Sequence, residues 1–130
     1  MILEKLSLNS KLKLLGRGQI LPHIQTSISQ ATDSILIAGP WLDAYFVREI
    51  IDSLGDQNIG VSFIVRIEDG YVIDSKTLSA LNLARKNIKN FQARTLKNLH
   101  SKIILIDKDI FYLGSTNWYW YSSMNHWKLR

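Results

Sequence analysis

Apolar residues along this chain recur with two alternating periods. Over residues 20–31 they fall three or four apart, with Ile20, Ile24 and Ile28 on one stripe, which predicts a helix. Residues 34–40 (SILIAGP) form a short apolar run of strand length, closed by Gly39 and Pro40. Asp43 then offers an N-cap to a helix through Leu54, with Phe46, Val47, Ile50, Ile51 and Leu54 on its inner face. A strand over residues 61–67, a helix opened by Asp74 or Ser75 and running to Arg85, and a strand around residues 90–95 follow. Two more strands, 99–107 and 110–113, are separated only by Lys108 and Asp109, and a short helix is expected from Ser115.

Strands alternating with helices predict an α/β fold, a mixed β-sheet flanked by helices on both faces. The first three strands, each preceded by a helix, should be parallel, because right-handed crossovers are the rule. The last two connections are too short for a crossover. Residues 99–107 should therefore run back antiparallel, and residues 110–113 should return as the second arm of a hairpin. An antiparallel strand starts at the edge where its parallel neighbours end, which is where open α/β sheets bind ligands. His100 and Lys102 should lie at that rim, and the returning strand should deliver Gly114, Ser115 and Asn117 to the same place.

Composition narrows the partners. The chain has 130 residues, 46% hydrophobic and 21% charged, which is ordinary globular material for one domain, residues 1–130. No cysteine is present, so disulfides and thiolate metal sites are excluded. The opening MILEKLSLNSKLKLLGRG is broken by charges, and no later stretch is long enough to span a bilayer, so a soluble, cytoplasmic protein is the expectation. A net charge of +5 and a pI near 9.6 favour anionic partners, nucleic acid or phospholipid headgroups, though only weakly.

The informative stretch runs from His100 to Asn117. His100-Ser-Lys102 is followed by Asp107 after four residues, and Gly114-Ser115-Thr-Asn117 follows after six more. On its own, the first part reads more readily as a satisfied histidine and a lysine snorkelling from the strand end. Lysine in a strand that is apolar on both faces is costly unless it meets an anion or water, and the downstream Gly-Ser-x-Asn shifts the balance away from the ordinary reading. The whole pattern, H-x-K-x4-D-x6-G-S-x-N, resembles the signature of the phospholipase D superfamily.

That resemblance implies a phosphodiesterase that needs neither metal nor cofactor. His100 would attack phosphorus, Lys102 would stabilise the phosphoryl charge, and Ser115 and Asn117 would hydrogen-bond its oxygens. Ser115 could also N-cap the following helix. Asp107 lies about 23 Å along the strand from His100 and is expected to hold the turn of residues 107–109 rather than react. No ligand spacing connects His23, His100 and His126, and His23 reads as an ordinary surface or helix-start histidine.

Family members typically carry two such motifs, whereas this chain has one. A twofold homodimer would bring two His100 side chains into one site. Small members built this way are mostly nucleases. The basic residues Arg66, Lys76, Arg85, Lys86, Lys89, Arg94 and Lys97 flank the motif, and Trp41 and Tyr71 follow strands near the same rim. Of these, Trp41, Arg66 and Lys97 are the candidates for substrate binding. The reading is thus an endonuclease acting through a phosphohistidine. The alternatives are a phospholipid-directed phosphodiesterase, or an inactive nucleic-acid-binding or dimerisation module with the same fold.

After Asn117 the pattern departs from the family. An acidic residue and another strand are expected there, but Asn125, His126 and Trp127 lead to the last residue, Arg130. The family's C-terminal strand is therefore expected to be missing, and the aromatic cluster Trp118, Tyr119, Trp120, Tyr121 and Trp127 either covers what that strand would have covered or forms an exposed interface patch.

Overall fold

A computed structural model of the chain describes residues 12–16, 18–115, 117 and 118. Among the described residues, three helices alternate with the first three of five strands. They are α1 (Ile20–Ser29), β1 (Ser34–Ala38), α2 (Ala44–Leu54), β2 (Gly60–Ile67), α3 (Ser75–Asn87), β3 (Phe91–Lys97), β4 (Lys102–Ile106) and β5 (Ile110–Gly114). Both helix starts read from the sequence are capped as expected. The Asp43 carboxylate accepts from the amide of Phe46 at 2.8 Å, and that of Asp74 accepts from Thr77 at 3.1 Å.

The strands form one mixed sheet in the order β3-β2-β1-β4-β5. β1, β2 and β3 are parallel, β4 runs antiparallel to β1, and β5 antiparallel to β4. This is the α/β topology the apolar pattern predicts. Ile35, Ile37, Val61, Phe63, Val65, Ile104, Ile106 and Tyr112 share one face by register and are buried in a single core. Leu21, Ile24 and Ile28 of α1, Phe46, Val47, Ile50 and Leu54 of α2, and Ala80, Leu81 and Ala84 of α3 close that core.

All the described helices thus lie on one face of the sheet. Cover for the second face, expected from the sequence, comes from no described helix. Leu36, Ile64, Ile103 and Leu105 there are only half-buried, and Phe111 and Leu113 are exposed. The reason is topological. Two successive right-handed crossovers that step in the same direction along a sheet put their helices on the same side. Among the described residues, no helix is long and apolar enough to cross a membrane.

β4 also begins three residues later than the apolar pattern suggests. β3 and β4 are separated by β2 and β1, about 14 Å at the usual strand spacing. Five residue steps from Lys97 to Lys102 reach at most about 18 Å. Residues 98–101 are therefore stretched across the carboxyl ends of β2 and β1 instead of pairing in the sheet. Asn98, at φ 62°, turns the chain into this span, and buried Leu99 pins it down.

Candidate active site

The span over the rim carries His100, which is exposed to solvent. Lys102 opens β4 directly opposite Gly114, the last residue of β5. It shares the face of Ile104 and Ile106 but is only half-buried, because it stands at the strand end. Its ammonium has no carboxylate partner among the described residues. Ser115 is exposed just beyond Gly114, and Asn117 is half-buried, with its Oδ1 buried and lacking a hydrogen-bond donor among the described residues. Register and chain continuity therefore bring His100, Lys102, Ser115 and Asn117 to one stretch of rim above β1, β4 and β5.

Trp118 fixes this stretch in place. It is 2% exposed, its indole N–H donates to the Ala38 carbonyl at 2.8 Å, and its ring stacks on Phe46 at 5.7 Å. The indole lies over Gly39, where a Cβ would come within 2.8 Å of it. Its backbone forms a parallel bridge with Leu42, so the chain after β5 rejoins the end of β1. Leu42 is held from the other side, its amide donating to Thr77 Oγ1 at 3.1 Å. The sequence marks Trp118 only as one of several aromatics. The small residue at Gly39, directly after β1, was the available clue to what packs there.

Asp107 stands at the opposite end of β4. Its carboxylate accepts from the amides of Asp33 at 2.7 Å and Ser34 and Thr32 at 3.0 Å, and from the Thr32 hydroxyl. The Thr32 and Asp33 amides hold its pKa below the ordinary value of 3.8. The expectation that Asp107 holds its own turn needs correcting. Its carboxylate secures the neighbouring α1–β1 connection, because the residue at φ 55° turns its side chain across to β1.

The substrate-binding candidates are dispersed. Trp41, half-exposed, follows β1, and the Arg66 guanidinium lies 5.8 Å from its ring centroid. Arg66 Nε also bonds Glu68 Oε1 at 3.2 Å. Lys97 ends β3 opposite Ile67, three strand positions from Lys102, so it belongs to the far edge of the rim. Tyr71 protrudes from the tight turn after β2 and is 87% exposed.

His23 stands in the first turn of α1, the helix-start position expected for it, and is not a free surface residue. Its Nδ1 lies 2.7 Å from the Tyr112 hydroxyl, which also bonds Ser27 at 2.6 Å, and burial raises the Tyr112 pKa. His126, the helix expected from Ser115 and the C-terminal departure lie outside the described residues. Among the described residues, no three His, Cys, Asp or Glu side chains are grouped to hold a metal.

The model of the family described as cardiolipin synthase, phospholipase D-like domain, matches residues 24–127. The chain belongs to this phospholipase D family. Among solved structures it is similar to NucT from Helicobacter pylori, at 25% identity and a TM-score of 0.64, covering 82% of this chain and 71% of that one. It is also similar in fold to Nuc from Salmonella typhimurium, a phospholipase D family member. That match has 17% identity and a TM-score of 0.62, covering 83% of this chain and 70% of the other. No curated protein matches the sequence. The matched residues include the whole sheet and the candidate site, and they make one phospholipase D-like domain.

Proposed function

We propose that the chain is a metal-independent phosphodiesterase that hydrolyses nucleic-acid phosphodiesters in a homodimer. The observation that carries this reading is the rim itself. A histidine, a lysine without a counter-ion among the described residues, a serine and an asparagine meet where an anion could bind. A phosphate diester supplies the negative charge that Lys102 lacks.

The chemistry is a double displacement. A neutral His100 imidazole attacks phosphorus, and the partner subunit's His100, protonated, donates its proton to the departing oxygen. Water then attacks the phosphohistidine, giving a proton back to the partner's imidazole and releasing the phosphate monoester. Lys102 neutralises the charge that builds on the equatorial oxygens, while the Ser115 hydroxyl and Asn117 amide donate hydrogen bonds to them. Asp107, at the far end of β4, takes no part in bond making. A single motif per chain supports the dimer, and a net charge of +5 supports a polyanionic substrate.

Cleavage of bis-p-nitrophenyl phosphate and of nucleic acid in EDTA, beside a His100→Ala control, tests the reading. Turnover that survives chelation and vanishes in the control is the expected result. Nucleic-acid binding without cleavage under all these conditions would overturn it in favour of a binding module.

A further inference from the structure

The parallel bridge between Leu42 and Trp118 has a neighbour on each strand. Trp41 precedes Leu42, and Asn117 precedes Trp118. In a parallel pair, such preceding residues lie about 5 Å apart and face the same side. Trp41 is thus beside Asn117, at the edge of the candidate active site. Unlike Leu42 and Trp118, which are buried to 0% and 2% exposure, Trp41 keeps a good part of its surface in water. It is not needed to seal the core.

What packs against its ring is a cation. The Arg66 guanidinium sits 5.8 Å from the centroid, and Glu68 holds it through Nε, leaving the terminal nitrogens outside that contact. The Arg66 side chain is 21% exposed. A ring clamped in this way has already lost its rotamer freedom, so stacking a second planar group on it costs little further ordering. Phospholipid headgroups generally offer no planar ring, whereas a nucleic acid offers a base next to every phosphate.

We propose that Trp41, clamped by Arg66, is a stacking platform for an unpaired nucleobase flanking the phosphate held at His100, Lys102 and Asn117. This deepens the nuclease reading and rests on it for the placement of that phosphate. The base must be unpaired, because a base within a duplex already has both faces covered. The terminal nitrogens of Arg66, outside the Glu68 contact, would help hold the adjoining phosphate.

The test measures binding, so that it does not depend on turnover. Full-length protein carrying His100→Ala is titrated, in EDTA, into a labelled single-stranded thymidine oligomer and into an all-abasic oligomer of the same length. Adding Trp41→Ala should weaken the thymidine complex roughly five- to a hundredfold and leave the abasic complex little changed. Trp41→Phe, which keeps an aromatic face, should restore most of the loss. Equal weakening of both oligomers, no weakening of the thymidine complex, or no binding of either at low salt would each overturn the platform. So would a Trp41→Ala effect confined to anionic phospholipid vesicles, which would assign the ring to lipid. If the wild-type chain fails to cleave bis-p-nitrophenyl phosphate while the base-dependent effect persists, the hydrolase reading fails and the platform stands.

Discussion

The indole N–H of Trp118 and the carbonyl of Ala38 are 2.8 Å apart, and this contact joins the chain after β5 to the end of β1. Asn117 is therefore held through its neighbour, not by any described partner of its own side chain. Trp118→Ala should cost about 3–5 kcal/mol, as for other large buried aromatics. Trp118→Phe keeps the stack on Phe46 and removes the hydrogen bond to the Ala38 carbonyl, for about 1 kcal/mol, yet should lower kcat more than it raises KM. Thermal melts and kinetics on bis-p-nitrophenyl phosphate separate the two effects. A Trp118→Phe enzyme with unchanged kcat would remove Trp118 from any positioning role.

Gly39 should prove sensitive for the same reason. Gly39→Ala puts a methyl group 2.8 Å from the Trp118 ring, which a packed interior resists at a cost of about 1–3 kcal/mol. Combining it with Trp118→Phe should cost less than the sum of the two single changes, since the smaller ring leaves room. Strict additivity in a double-mutant cycle would mean that the two residues do not share this contact.

Asp107→Ala should lower the melting temperature by several degrees while leaving turnover per folded molecule nearly intact. The carboxylate secures three successive amides, Thr32, Asp33 and Ser34, at the end of the sheet away from His100. Its pKa is depressed in the folded state, so its contribution is fully present above the ordinary value of 3.8 and is lost as pH falls through the lower, folded value. The difference in melting temperature between wild type and variant should therefore be constant near neutrality and shrink as pH drops below about 4. A difference that is flat into acid, or loss of activity without loss of stability, would show that the carboxylate acts otherwise.

How far the fold is legible in the sequence follows from which interactions are local. Caps at Asp43 and Asp74 act within three residues, and they place α2 and α3 correctly. Burial of Ile24 and Ile28, and of Phe46, Val47, Ile50 and Leu54, repeats at helical spacing and is readable for the same reason. What the sequence misses depends on contacts across the sheet. The start of β4 is set by the distance back from β3, and the open second face by the sense of the crossovers. Trp118 pairs with Ala38 and Asp107 with the α1–β1 connection, over separations of 80 and 73–75 residues. The motif was legible because its residues are close in sequence. The anchor that holds its last member was not.

Lys102→Ala and Asn117→Ala should each slow turnover by roughly a hundredfold or more, with melting temperatures close to wild type. Lys102 stands at a strand end without a carboxylate partner among the described residues, so its removal strands no buried charge. Lys102→Arg should recover little, since a planar guanidinium does not replace a compact ammonium in a confined site. If either alanine variant turned over at the wild-type rate, the rim would not be the site of phosphoryl transfer.

The working unit should be a dimer that shares one site. A double displacement needs a nucleophile and a leaving-group acid, and this rim has one histidine for both roles. The other described histidine, His23, is engaged with Tyr112 beneath α1 and is not available to the rim. In a heterodimer of wild-type and His100→Ala chains, one of the two roles is missing, so that species should be nearly inactive rather than half active. Mixing the chains at several ratios should then give activity that falls as the square of the wild-type fraction, with sedimentation confirming a dimer throughout. A linear fall, or a fully active monomer, would refute the shared site and require each chain to find its acid elsewhere.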